Sequence, residues 1–304
     1  MTIRQIFESI LSDISGYLIT IKLSLTPLSD LILPPMSSKL LKYIVLSSSC
    51  FEDIRGFARS HASFKPITLY TLRRGGRRLY STTESRSPMV IRVGEVLEGR
   101  IAVYARNPFS LSSLSGCEDV VEFHNSRIAV SVTGASIENV ESLNAGIEVG
   151  KPFKLVIHTP LLLSPKLMTP PPLSTSKLVK SIKPGYRLLP TPSYIMSAAC
   201  GEWLGLIRGV RVKDNIAPYV VGRLSDVAFY EVDLNIEPKT VVYGRDEKGN
   251  LRLVRGVIGY VAYTLTTPKL EKIANKLLAL ATRIGLGKSR SIGFGEVEVK
   301  EFIT

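Results

Sequence analysis

The sequence predicts an α+β protein made of two tandem βαββαβ units. Three observations carry that prediction. Apolar residues recur at period two in some segments and at helical spacing in others. The order strand, helix, hairpin, helix, strand runs through the chain twice. At 304 residues the chain is long enough for two cores, and with 45% hydrophobic and 21% charged residues it has a folded, soluble composition.

The first unit opens on GYLITIKLSLTPLS, with Ile19, Ile21, Leu23 and Leu25 on one face and Thr20, Lys22 and Ser24 on the other, a half-buried strand. Pro34 and Pro35 stop it. SSKLLKYIVL then predicts a helix with a serine N-cap, Leu40, Leu41 and Ile44 facing inward, and Lys39 and Lys42 on another side. After a second helical piece at 51–60, FKPITLYTLRRGGRRLYS predicts a hairpin turning at Gly75-Gly76, with four arginines at the turn and Tyr70 and Tyr80 beside it. Strand-like runs PMVIRVGEVLEGRIAVYA and SRIAVSVTGASIENV follow, joined by a polar, Ser-rich link.

The second unit repeats the order. PFKLVIHTP predicts a strand, SYIMSAACGEWLGLI a helix, and KTVVYGRDEKGNLRLVRGVIGYVAYTL a strand and hairpin region. A helix from Thr267-Pro268 to Gly285 turns Leu270, Ile273, Leu277, Leu280 and Ile284 inward, and EVEVK closes as a strand. Eight of the eighteen prolines lie between Pro160 and Pro192, marking a rigid insertion that also carries Lys166, Lys177, Lys180, Lys183 and Arg187. Each unit is then a ferredoxin-like (RRM-like) domain, at 17–149 and 150–304. Residues 1–16, an amphipathic helix by the spacing of Ile3, Ile6, Phe7, Ile10 and Ile14, precede them as an extension.

The formal net charge is +13, and residues 36–80 hold nine Lys/Arg against Glu52 and Asp53, a local +7. A concentrated basic face points to a polyanionic partner. No apolar run reaches the length of a membrane span. Cys50, Cys117 and Cys200 are odd in number and far apart, with no metal-ligand spacing. The expectation is a reducing, cytoplasmic setting and no structural metal or cofactor.

Near the end stands GLGKSRSIGFG, residues 285–295. As a phosphate-binding P-loop it fails: Thr282 occupies the place of the first glycine, the segment before it reads as a helix, and only nine residues follow Gly295. Its form is glycine-hydrophobic-glycine, five residues, glycine-hydrophobic-glycine, between the last helix and the last strand. This resembles the C-terminal signature of the repeat-associated mysterious protein (RAMP) superfamily of CRISPR systems. With LILPPMSSKLLKY, FKPITL and TPLLLSPKLMTPPP, the chain from about 17 to 304 is most similar to the crenarchaeal-type endoribonucleases of that superfamily (Cas family six), which cut precursor CRISPR RNA within its repeats.

The resemblance implies metal-independent cleavage: the RNA 2′-hydroxyl attacks the adjacent phosphate and expels the 5′-oxygen, leaving a 2′,3′-cyclic phosphate and a 5′-hydroxyl. On that reading Lys42 and Lys65 carry proton transfer or transition-state charge, Arg290 clamps the phosphate, and Lys39 supports them. His61, four residues before Lys65, stands near the place of a catalytic histidine in some members. His124 and His158 are expected to be structural. Arg73, Arg74, Arg77 and Arg78, together with Gly285, Gly287, Lys288, Ser289, Ser291, Gly293 and Gly295 of the loop, are expected to hold RNA phosphates. Tyr70 and Tyr80 either stack bases or pack the sheet. The implied partner is CRISPR repeat RNA, with a homodimer and attachment to an effector complex both open and no membrane contact. The alternative function is a non-catalytic subunit that holds guide RNA within such a complex.

Overall fold

A computed structural model describes residues 2–303 except 61, 63, 86–87, 108–113, 115, 175 and 211–215. The first half is built on β1 (Tyr17–Pro27), whose alternation puts Ile19, Ile21, Leu23 and Leu25 in the core as expected. β1 lies between β7 (Leu97–Ala105) and β9 (Ser126–Asn139), antiparallel to both. β3 (Ile67–Leu69) and the short hairpin of β4 (Arg73–Arg74) and β5 (Arg77–Arg78) extend the sheet beyond β7, while β2 (Leu31–Ile32) and β6 (Val90–Ile91) pair with each other apart from it. Helices α2 (Ser38–Ser47) and α3 (Glu52–Arg59) cover its inner face through Leu40, Leu41, Ile44 and Ile54.

The second sheet has the order β11 (Phe229–Arg245), β12 (Leu251–Leu265), β10 (Pro152–Leu161), β13 (Val297–Glu301), with antiparallel neighbours throughout. That is the ferredoxin-like arrangement, with the first and third strands of the unit at the centre. α6 (Pro192–Leu206) and α8 (Glu271–Ile284) pack beneath it. The two halves share a core. Leu18, Tyr70, Ala102 and Tyr104 of the first half join the cluster formed by α6, α8 and the second sheet. α1 (Ile3–Leu11) enters that cluster with Ile6 and Ile10, and the Trp203 indole N–H donates to the Ile10 carbonyl at 2.9 Å.

Several expectations change. Ser37 does sit at the start of α2, but its hydroxyl makes no helix cap: it donates to the Leu79 carbonyl at 2.6 Å and accepts from Leu72 N–H at 2.8 Å, tying the helix to the arginine hairpin. In the first half no helix stands between β7 and β9 among the described residues; β8 (Glu118–Phe123) pairs with β9 there instead. The proline-rich insertion forms two short helices, α4 (Pro171–Ser174) and α5 (Lys177–Ser181), and an additional helix, α7 (Ala217–Ala228), starts with Pro218 in its first turn and buries Val221, Ser225 and Ala228. β11 begins ten residues earlier than the run from Lys239 suggested. Cys50 and Cys117 form a disulfide across a separation of 67 residues, which corrects the expectation of three reduced cysteines; only Cys200 is free. Sequence spacing carries no trace of this pairing, because a disulfide needs proximity in space. Among the described residues no helix is long and apolar enough to cross a membrane, and no group of three or more His, Cys, Asp or Glu side chains is placed to hold a metal.

Candidate active site

α8 stops at Gly285, whose φ of +81° turns the chain out of the helix. The loop 285–295 closes on itself: Leu286 N–H donates to the Gly295 carbonyl at 2.8 Å, and Gly293 N–H to the Arg290 carbonyl at 3.0 Å. It is also fastened to the second sheet, with Lys288 N–H on the Leu162 carbonyl at 3.0 Å and Gly295 N–H on that of Pro160 at 3.1 Å. Glycine is required at 295, where φ is +65° and a Cβ would lie 1.8 Å from the Leu286 oxygen. The N–H groups of Gly285, Gly287, Gly293 and Gly295 are all spent inside the protein, those of Gly285 and Gly287 on the Ala281 carbonyl and Glu202 Oε1. The glycines therefore shape the loop, and the groups it turns outward are the exposed side chains of Lys288 and Ser289, with Ser291 half-buried.

The inner side of the loop rests on the first half. Ser38 Oγ donates to the Ile292 carbonyl at 2.5 Å and Thr68 Oγ1 to that of Ile284 at 2.6 Å. Arg290, expected to clamp phosphate, is only 6% exposed. Its guanidinium donates to Thr68 Oγ1 at 2.9 Å and to the Lys65 carbonyl at 2.6 Å, so it fixes the segment that carries Lys65.

Lys39 and Lys42 are half-buried on α2, beside the loop. The Lys39 ammonium lies against Gly244 of β11, 2.6 Å from where a Cβ would stand. Burial lowers the Lys39 pKa below that of a free lysine, and the charges of Arg252 and Lys42 lower it further. Arg252, on β12, was missed from the sequence, where it is one more basic residue in a hairpin strand. Beside this seam lies an apolar floor of Met36, Leu162, Val241 and Phe294, with Tyr80, Tyr186 and Tyr243 packed against it. The Tyr243 and Phe294 rings meet edge to face with centroids 6.5 Å apart.

The arginine hairpin divides. Glu296, directly after the loop and 2% exposed, pairs with Arg73, with Arg78 through two bonds of 2.6 and 2.9 Å, and with Arg100 at 3.2 Å. Burial works against the charged Glu296, yet Arg78, Arg100 and Arg73 outweigh it and hold its pKa below the ordinary carboxylate value. Arg74 pairs with Glu95 at 3.1 Å, and Arg77 is exposed with no ion pair among the described residues. Tyr70 packs the core: its ring lies under Arg100 at 3.7 Å, its hydroxyl donates to the Arg283 carbonyl, and burial pushes its pKa up to about 12. His158 Nε2 meets Glu298 at 2.8 Å on the second sheet. His124 stands at the β8–β9 turn rather than inside a strand, its ring against Phe123. His61 lies outside the described residues.

Sequence comparison matches residues 19–138 to the Cas6 N-terminal domain and residues 155–297 to the CRISPR-associated endoribonuclease Cas6. Two Saccharolobus solfataricus proteins, CRISPR-associated endoribonuclease Cas6 1 and Cas6 2, are 31% and 30% identical over 91% and 90% of this chain, and 94% and 93% of theirs. Among solved structures, a Cas6 product complex matches 92% of this chain and 99% of its own with a TM-score of 0.57, and a Thermus thermophilus Cas6 matches 94% and 99% with 0.54, each at 15% identity. Those two likenesses concern the fold, and they agree with the tandem ferredoxin-like reading. The chain belongs to the family of CRISPR-associated endoribonuclease Cas6.

Proposed function

We propose that the protein cuts precursor CRISPR RNA within its repeats by metal-independent transesterification. The observation that carries this reading is the seam where α2, the glycine loop and the β11–β12 hairpin meet, with Lys39, Lys42, Arg252 and Lys288 on elements that touch one another. The 2′-hydroxyl gives up its proton as its oxygen bonds to phosphorus. The bond from phosphorus to the 5′-oxygen breaks, and that oxygen takes a proton as it leaves. Negative charge builds on the phosphoryl oxygens in between, and fixed cations lower the energy of that state.

Lys42 and Lys65 carry proton transfer or that charge, with His61 as a further candidate. Lys39 supports them; its lowered pKa makes a neutral, proton-accepting amine more accessible than in a free lysine. Arg290 acts by holding the Lys65 segment. Lys288, Ser289 and Arg77 contact phosphates along the RNA, for which their exposure fits them. For a homodimer or an effector-complex contact, the supporting surface is the exposed apolar edge of β11 at Tyr230, Val232 and Leu234.

Single-turnover cleavage and equilibrium binding of a repeat RNA, measured on Lys42→Ala and Lys65→Ala, test the assignment. Each variant is expected to cut about 100-fold more slowly while binding within about threefold of the wild type. A loss of affinity with an unchanged cleavage rate constant would assign both lysines to holding RNA instead.

A further inference from the structure

Glu202 stands on α6 and is 4% exposed. Its Oε1 accepts from Gly287 N–H at 2.7 Å, whereas Oε2 is buried with no hydrogen-bond partner. The reaction described above makes no use of it, and an unmatched buried carboxyl oxygen costs stability. Its effect falls on the loop. Gly287 has a φ of +83° and a Cβ there would come within 2.7 Å of the Leu162 oxygen, and among the described residues the loop is seated at this point by Lys288 N–H to the Leu162 carbonyl and Gly287 N–H to Glu202. The next side chain is the exposed Lys288. The charged groups that face Glu202 are Arg290 and Lys288, both on the loop, and Arg290 in turn faces Tyr70.

We propose that Glu202 is a positioning residue for RNA: through Gly287 it sets where Lys288 meets a phosphate, and by gaining or losing its proton it sets the net charge of that contact. The inference rests on the RNA-cleaving reading above. Burial pushes the Glu202 carboxyl up to about 8, with Arg290, the Gly287 amide and Lys288 pulling the other way. Below that pH the group is neutral and the Lys288 charge is presented in full. Above it, a carboxylate stands behind Lys288 and cancels part of its field. RNA affinity therefore falls as pH rises through about 8, by about fivefold after screening by solvent and salt. Stability changes in the same direction: between the ordinary carboxylate value of 4.5 and about 8 the folded chain holds a proton that the unfolded chain has released, so stability declines as pH climbs through that window.

The test is the affinity of the full chain for a repeat RNA made uncleavable by 2′-deoxy substitution at the cut site, at fixed salt from pH 6.5 to 9, for the wild type, Glu202→Gln and Glu202→Ala. Gln keeps an acceptor for Gly287 and cannot ionise. Lys39, whose pKa is also lowered, is common to all three proteins, so the difference between wild type and Glu202→Gln isolates Glu202. The wild type is expected to lose about fivefold more affinity than Glu202→Gln across the range. Glu202→Ala is expected to bind about tenfold more weakly at pH 7, with Glu202→Gln restoring most of the loss. Superimposable pH profiles for wild type and Glu202→Gln would overturn the charge coupling, even if Glu202→Ala does not fold. Equal affinity for Glu202→Ala and wild type would overturn the positioning role. Absence of RNA binding by the wild type would instead remove the RNA reading and this inference with it.

Discussion

Two neighbouring arginines of one hairpin have different tasks. Arg78 is committed to Glu296, a buried carboxylate that Arg73 and Arg100 also hold, and this knot joins the first sheet to the strand that follows the loop. Arg77, one residue away, faces water. Arg78→Ala should therefore destabilise the fold by about 3 kcal/mol, because it removes the best-placed partner of a buried charge. Arg77→Ala should leave stability within about 0.5 kcal/mol and reduce the slope of log affinity for RNA against log salt by about 1. Denaturant melts paired with salt titrations separate the two; identical behaviour of the two variants would contradict the division. In the sequence the four arginines are equivalent, since the spacing RRGGRR gives a turn but not the carboxylate more than 200 residues away that claims two of them. For Arg290 too, only the fold places Thr68 and the Lys65 carbonyl against its guanidinium.

Among the elements, α2 carries the basic seam and α3 follows it through the turn that holds Cys50, which is bonded to Cys117 just before β8. Closing a loop of that span restricts the unfolded chain by about 4 kcal/mol in the chain-entropy account. Thermal melts with and without reductant, or of Cys117→Ser, should show a loss of that order; an unchanged melting temperature would mean that the bond does not constrain the unfolded state. β1, α2, the arginine hairpin, α8 and β13 were legible because each has one face in the core and a clean period, or a turn signal such as Gly75-Gly76. α7 was not, since its Pro, Gly and Val content reads as loop and its helicity comes from packing on α6. β8 was not, because its alternation is short and mostly exposed, and it gains strand form by pairing with β9. Arg252 and Glu202 carry no local signal; their meaning comes from α2 in one case and from the loop in the other.

Over the whole molecule, the two ferredoxin-like halves do not stand apart. The first sheet uses its inner face for α2 and α3, and lends Leu18, Ala102 and Tyr104 to the core of the second half, so the loop is gripped from both sides. With a formal charge of +13, RNA binding should weaken steeply with salt. The most direct measurement incubates the purified protein, in excess EDTA, with a CRISPR-repeat RNA and with a copy carrying a single 2′-deoxy sugar at the mapped cut site. Only the first is expected to be cut, with products ending in a 2′,3′-cyclic phosphate and a 5′-hydroxyl. Cleavage of both RNAs, or cleavage that requires an added divalent ion, would contradict metal-independent transesterification.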